Sequence, residues 1–338
     1  MAKIFVTGAA GFIGSNFVRY WLSHYPDDLV INYDLLTYAG NPANLTDVAE
    51  NYPDRYVFIK GDINNYDLIC FIFQRYKPDY VVNFAAESHN SRAVVNPEIF
   101  YQTNAMGTQR LLQAAVDSGV PRFHHISTCE VYGDLALDSH ERFSETSPYR
   151  PRTPYNSSKA AADLIVRAYF ETFHLPITIS ICSNNYGPYQ FPEKLIPYFT
   201  IRVMEGRKMT LYKSSRNKRE WLHVNDHCAG IDLILKNGKI GETYNIGSGV
   251  EVDVETIADH ILDIMGLDQS YKGYVEDRPG HDRRYLLDST KIRSDLGWKP
   301  ERSFEAGFRE TVLWYRENRA WWEPLLAKLA VDEEKWSK

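Results

Sequence analysis

Cysteine, basic clusters and long apolar runs are what this chain has little of, and each shortage closes a class of function. Its 338 residues hold four cysteines, Cys70, Cys129, Cys182 and Cys228, scattered through the chain. None lies in C-x-x-C or Cys/His ligand spacing, so the sequence points to neither a disulfide framework nor a zinc site, and no metal is expected. The ten histidines are equally dispersed. His124-His125, just ahead of a strand-like run, reads as packing or surface rather than as a ligand pair. Lys and Arg number 38 against 44 Asp and Glu, and there is no basic tail or block. Nucleic acid is therefore excluded as the main partner, and an anionic ligand would have to be met by local arginines. No apolar stretch approaches the roughly 20 residues that span a bilayer. The first strand begins about residue 4, which leaves no room for a signal peptide, so a cytoplasmic protein without a membrane partner is expected. Repeats and low-complexity segments are missing too.

What is present begins with Gly8-Ala9-Ala10-Gly11-Phe12-Ile13-Gly14-Ser15, directly behind the apolar run Ile4-Phe5-Val6. A buried strand that must turn tightly into a helix uses glycines to let its backbone approach a pyrophosphate, and the helix N-terminus supplies unpaired N–H groups. Asp34 closes the next apolar run, Leu29 to Tyr33, twenty residues after Gly14. An acid there binds ribose hydroxyls and repels a 2′-phosphate, so NAD is expected rather than NADP. No Gly-Lys-Ser/Thr follows the turn, which excludes a P-loop.

Strand-like runs at Ile4–Thr7, Val30–Tyr33, Tyr56–Lys60, Tyr80–Phe84, Phe123–Ser127 and Ile177–Ile181 alternate with helical spacing over Ser15–His24, Tyr66–Tyr76, Asn104–Ser118 and Pro154–Phe173. The alternation predicts an α/β fold, a doubly wound parallel sheet of Rossmann type, with a smaller mixed α/β substrate lobe. Later helices are expected at Glu193–Glu205, Val254–Met265, Ser289–Leu296 and Ser303–Asn318, and a strand at Glu242–Gly247. The expected division is a cofactor-binding domain of residues 1–183 plus about 222–250, and a second lobe of about 184–221 plus 251–338. The tryptophan-rich tail, Trp314 through Trp336, is expected to pack on the body.

Tyr155-Asn156-Ser157-Ser158-Lys159 places a phenol and an ammonium four residues apart at the start of a predicted helix, so both project from one face. A lysine there is expected to draw the phenol's pKa down from about 10. Upstream, Ser127-Thr128-Cys129-Glu130 follows a strand and sets a hydroxyl, a thiol and a carboxylate at its carboxyl end. Together with the glycine turn these motifs resemble the extended short-chain dehydrogenase/reductase family. Further stretches, Asn83 to His89, Ser183 to Pro188, Phe191 to Pro197 and Arg278 to Tyr285, resemble its nucleotide-sugar dehydratase branch, which contains the dTDP-glucose 4,6-dehydratases.

The resemblance implies an NAD-dependent nucleotide-sugar lyase that oxidises hexose carbon 4, eliminates water across carbons 5 and 6 and returns the hydride. It implies catalytic roles for Thr128, Cys129, Glu130, Tyr155 and Lys159. Gly8, Gly11, Phe12, Ile13, Gly14 and Asp34 match positions around NAD, joined by Asp62, Ile63, Ala85 and Ala86 together with Tyr155 and Lys159. Ser88, Asn185, Glu193, Lys194 and Leu195 match positions around the sugar nucleotide, as do Tyr212, Arg219, Arg278 and His281. Bidentate Arg–phosphate contacts suit a diphosphate clamp. The resemblance also implies a homodimer paired through Asn104–Ser118 and Pro154–Phe173.

The chain departs from the branch at several points. Cys129-Glu130 stands where the dTDP-glucose enzymes carry Asp-Glu, so the expected acid is missing. Asn90-Ser91-Arg92-Ala93 replaces Val-Asp-Arg-Ser. Tyr212-Lys213-Ser214-Ser215 replaces Tyr-Gly-x-Gly, Thr210 replaces a proline, and Val250 replaces an asparagine. Two readings of Cys129 stand: a retuned sugar or elimination, including loss of the carbon 6 hydroxyl without hydride return, or a space-filling thiol beside a Glu130 that does the work. Decarboxylases and 4-epimerases of the same scaffold are the enzyme alternatives, the first needing a cation such as Arg92 for a substrate carboxylate. A catalytically dead regulator that binds NAD or a sugar nucleotide is the alternative from another class.

Overall fold

The computed structural model describes residues 1–213, 215–277 and 282–329. Seven parallel strands form its central sheet: β1 (Lys3–Thr7), β2 (Leu29–Asp34), β3 (Tyr56–Lys60), β4 (Tyr80–Asn83), β5 (Phe123–Thr128), β6 (Ile177–Cys182) and, further along the chain, a strand at Thr243–Ile246. Their spatial order places β1 between β2 and β4, with β3 at one edge and Thr243–Ile246 beside β6 at the other. Successive strands step outward from β1 in one direction through β2 and β3, then in the other from β4. The β1/β4 boundary is thus the switch point where a crevice opens beyond the strand ends. The strands read as near-continuous apolar runs because helices cover both faces of the sheet.

On one face, Ile69, Ile72 and Phe73 of the helix Tyr66–Tyr76 pack with Leu111 and Leu112 of Thr108–Asp117 and Val166 of Pro154–Phe173. On the other, Phe17, Val18 and Trp21 of the helix Phe12–His24 meet Ile231 and Ile234 of Val224–Asn237. A third cluster, built from Phe199, Met209, Leu211, Ile257, Ile261 and Phe308, lies outside the main sheet. It is framed by short strands that the sequence pattern does not reveal, including Met209–Tyr212 and Lys218–His223. Met209–Tyr212 has only four residues, and the six of Lys218–His223 begin with Lys-Arg-Glu, so neither shows enough apolar alternation to stand out from loop.

One local difference from expectation has a clear cause. The helix expected over Asn104–Ser118 begins earlier, at Pro97, and Tyr101–Gly107 within it is wound as a π-helix. That winding shifts the 3.6-residue phase, so the apolar repeat becomes legible only after it. The tail packs on the body as far as it is described: Trp322 is fully buried and its indole donates to Tyr315 O at 2.7 Å, while Trp321 reaches Asn44 Oδ1 at 2.9 Å. Trp336 lies outside the described residues. No helix among them is long and apolar enough to cross a membrane.

Candidate active site

The crevice at the switch point begins with backbone. Gly8 takes φ +65°, and a Cβ there would stand 2.6 Å from Ala85 N and 2.8 Å from Phe84 C, so only glycine lets the ends of β1 and β4 approach. A Cβ on Gly14 would lie 2.4 Å from Gly8 O, which makes it the residue that lets the helix close on the turn. Gly11 caps the helix Phe12–His24 with no side-chain bond, and that helix has no acidic residue in its first turn. Its leading N–H groups are therefore available to an anion. Phe12 and Ile13 are partly buried against the core behind.

Asp34, at the end of β2, is buried and accepts from Ala10 N at 2.9 Å and Leu36 N at 2.7 Å. Burial pushes its carboxyl up, and the two N–H donors act against that rise. Asp62 follows β3, with its carbonyl held by the Tyr33 hydroxyl at 2.8 Å. Ile63 is buried beside Gly107, and the Ala85 N–H donates to Thr7 Oγ1 at 3.2 Å. A glycine cradle, an uncapped helix start and a buried acid fit a dinucleotide.

At the end of β5 the three chemical side chains separate. Thr128 caps the short turn Cys129–Tyr132, its hydroxyl accepting from Glu130 N at 3.3 Å. Glu130 accepts from Asn90 Nδ2 at 2.8 Å. Cys129 is only 1% exposed, in the core cluster with Val131 and Tyr132, and burial pushes its thiol well above the usual range. Burial thus favours the S–H form.

Tyr155 and Lys159 do lie on the inward face of the helix Pro154–Phe173. One expectation is corrected: burial, followed by the charge of Glu130, holds the Tyr155 phenol well above its ordinary value, with the Thr128 hydroxyl acting the other way. Lys159 donates to Ile126 O at 2.7 Å, with His125 Nε2 at 3.4 Å. Burial lowers the lysine's own pKa.

His125 and Asp163 are the residues that sequence reasoning missed. Both are fully buried, with Nε2 to Oδ1 at 3.5 Å, and Asp163 Oδ2 accepts from Ser127 Oγ at 2.6 Å and from the Tyr149 hydroxyl at 3.0 Å. Burial lifts the Asp163 carboxyl to about 6. The spacing of Asp163 four residues after Lys159 was the available signal.

Among the expected sugar-nucleotide residues, Glu193 forms a charged cluster. Its carboxylate accepts from the Tyr38 hydroxyl at 2.9 Å and lies 3.8 Å from Arg92, 3.6 Å from Lys194 and 4.0 Å from His89. Lys194 also donates to Ser88 O at 3.0 Å, and Leu195 opens the helix Leu195–Met204. Arg92 stacks 3.6 Å over the Tyr38 ring, so it is engaged with Glu193 and Tyr38 rather than presented to a substrate carboxylate. Asn185 Oδ1 meets His227 Nδ1 at 2.9 Å. Tyr212 ends the strand Met209–Tyr212. Arg219 donates to the carbonyls of Asp282 and Arg283 and lies over the Tyr285 ring at 4.9 Å. It thus anchors the segment carrying the last matching motif, of which Arg278 and His281 lie outside the described residues. No cluster able to hold a metal ion occurs among the described residues.

Known proteins resemble this chain over nearly its whole length. The family model described as GDP-mannose 4,6 dehydratase matches residues 5–311. A dTDP-glucose 4,6-dehydratase of Streptomyces niveus is 47% identical over 327 residues, covering 96% of this chain and 95% of that one. Its counterpart from Escherichia coli K12 is 46% identical over 94% of each chain. The crystal structure of DesIV, a dTDP-glucose 4,6-dehydratase from Streptomyces venezuelae with NAD and TYD bound, superposes with a TM-score of 0.92 at 48% identity. It covers 96% of this chain and 99% of its own. A UDP-glucose 4-epimerase of Thermotoga maritima reaches 0.86 at only 28% identity, over 94% of this chain and 99% of its own.

Proposed function

The chain belongs to the nucleotide-sugar dehydratases of the extended short-chain dehydrogenase/reductase family, and from that premise we propose that it is an NAD-dependent 4,6-dehydratase acting on dTDP-glucose. The observation that carries the reading is the glycine crevice beside the end of β5, where Glu130 is held by Asn90 and the buried Tyr155 and Lys159 share one helix face, with Lys159 seated on Ile126 of that strand.

The turn Gly8–Gly14 would hold the cofactor's diphosphate, Asp34 its adenosine ribose, and Lys159 its second ribose, with Asp62, Ile63, Ala85 and Ala86 along the remaining wall. Bound NAD supplies a reversible hydride store, filled from hexose carbon 4 and emptied at carbon 6, and a cationic ring that favours the phenolate. Tyr155, assisted by the Thr128 hydroxyl, removes the proton of the carbon 4 hydroxyl. The resulting ketone acidifies carbon 5, and Glu130 takes that proton. As the carbon 5–carbon 6 double bond forms and the carbon 6–oxygen bond breaks, Glu130 gives its proton to the departing hydroxyl. Water leaves and the carboxylate is restored. A proton then returns to carbon 5, balancing the one that Tyr155 took.

Cys129 fills the space of the absent aspartate, since a buried thiol of raised pKa donates poorly. Ser88, Asn185, Glu193, Lys194 and Leu195 line the hexose side, while Tyr212, Arg219, Arg278 and His281 hold the nucleotide. Residues 1–183 and about 222–250 form the cofactor-binding domain and the rest the sugar-nucleotide lobe. The enzyme works as a cytoplasmic homodimer. Met106 and Leu164, 49% and 61% exposed on the two helices that would pair, support that assembly.

The test is incubation with NAD and dTDP-, UDP-, GDP- and CDP-hexoses in heavy water. Loss of one water with deuterium at carbon 5, strongest for dTDP-glucose, is expected. Loss of carbon dioxide, epimerisation or no reaction would overturn the proposal.

A further inference from the structure

Of the two departures that flank Glu130, Cys129 removes an acid and Asn90 adds an amide. The amide is the one that touches the carboxylate. Its orientation is set by a chain of donors that runs one way. At the start of the helix Pro154–Phe173, Asn156 N–H donates to Thr153 Oγ1 at 3.2 Å, and the Thr153 hydroxyl donates to Asn90 Oδ1 at 2.6 Å. With Oδ1 so engaged, Asn90 Nδ2 faces Glu130 Oε2, 2.8 Å away. A valine at position 90 could make neither contact.

The charge of Glu130 is felt by Cys129 on its own turn, Tyr155 from the helix Pro154–Phe173, Cys182 from the end of β6, and Tyr285 from the segment anchored by Arg219, and the Arg219 guanidinium acts on Cys129 and Tyr285 in the opposite sense. A carboxylate that must begin and end the elimination ionised gains from a fixed N–H donor, and Asn90 Nδ2 is one.

We propose that Asn90 is a positioning residue for Glu130: oriented by Thr153, its amide holds Oε2 and favours the carboxylate that takes the proton of carbon 5 and delivers it to the carbon 6 oxygen. This rests on the dehydratase reading above. It assigns Glu130 both proton transfers because its neighbour supplies none.

The experiment compares full-length, NAD-loaded wild type with Asn90→Ala, the nearly isosteric Asn90→Asp and Thr153→Val. Glu130 is titrated without substrate by infrared difference against Glu130→Gln. Loss of a charge-assisted hydrogen bond should move its protonation up by about one pH unit in Asn90→Ala. The shift should be larger in Asn90→Asp, where a second carboxylate faces it and the shape needed for folding is kept, and smaller but in the same direction in Thr153→Val. The acid limb of kcat should follow, with KM little changed and deuterium uptake at carbon 5 slowed. An unmoved Glu130 titration in both Asn90 variants would overturn the proposal. Wild type that dehydrates no nucleotide hexose would instead sink the functional reading, while the substrate-free titration would still decide the Asn90–Glu130 link.

Discussion

Replacing Gly8 by alanine tests the cofactor crevice most directly. Two costs act there. A side chain at φ +65° pays about 1–2 kcal/mol for the left-handed backbone. The new Cβ would also meet Ala85 N at 2.6 Å, Ala85 Cα at 2.8 Å and Phe84 C at 2.8 Å. These are backbone atoms at the end of β4 and cannot swing aside, so the strand ends must part, at about 1–3 kcal/mol as for other overpacked sites. The sum is about 2–5 kcal/mol. Gly119 is the internal control, because it has φ +62° but no atom within 4 Å of its added Cβ. Gly119→Ala should cost only the conformational part, about 1 kcal/mol once the stiffer unfolded chain is counted. Denaturant unfolding of the apo-protein measures both, and calorimetric titration with NAD measures the crevice. Gly8→Ala should lose at least tenfold in NAD affinity, whereas Gly119→Ala should bind normally. Equal stability losses in the two variants, or unchanged NAD binding by Gly8→Ala, would refute the close approach of β1 and β4 as the reason for the glycine.

Tyr155→Phe should lower kcat by at least about 100-fold while leaving NAD binding intact, read by product mass and calorimetry. Cys129→Ala should still give the same dehydrated product with label at carbon 5, at a stability cost of about 1–2 kcal/mol for the small cavity; a changed product would restore Cys129 to the chemistry. His227 is fully buried, and its pKa falls to about 3 in the folded chain. A histidine depressed on folding lends stability above its unfolded pKa of about 6.5 that is lost as pH falls toward the folded value. His227→Gln should therefore flatten the decline of unfolding free energy between pH 6 and 4 by about 1.4 kcal/mol per pH unit, measured by urea titrations. Leu164→Asp should shift a dimer to monomer in sedimentation, since that side chain is 61% exposed on the helix Pro154–Phe173.

Long elements were legible because their periodicity is strong. The helices Tyr66–Tyr76, Pro154–Phe173 and Val254–Met265 and the strand Tyr56–Lys60 have the bounds that the apolar pattern predicts. The glycine turn was legible because position, preceding strand and following acid all speak to one geometry. Less legible were contacts between residues distant in sequence. His124-His125 reads as packing, which holds for His124, hydrogen-bonded to Thr178 and Ser180, yet His125 lies 3.4 Å from the Lys159 ammonium. Arg92, singled out as a cation for a carboxylate, is engaged by Glu193 and Tyr38 from two other segments.

By itself the sequence determined the α/β alternation, the dinucleotide turn and the identity of the hydroxyl, carboxylate, phenol and ammonium available for catalysis, because local spacing and side-chain chemistry need no partner to be read. Only the tertiary structure decided which of them carry their expected environment. It buried Cys129, turned Lys159 toward Ile126 O and His125, and brought Asn90 from the β4 loop onto Glu130 after β5 through Thr153. The physical reason is that burial and hydrogen-bond direction are properties of packed surroundings. Forty residues separate Asn90 from Glu130, and neither side chain's state is set until the strands β4 and β5 pair and bring them together.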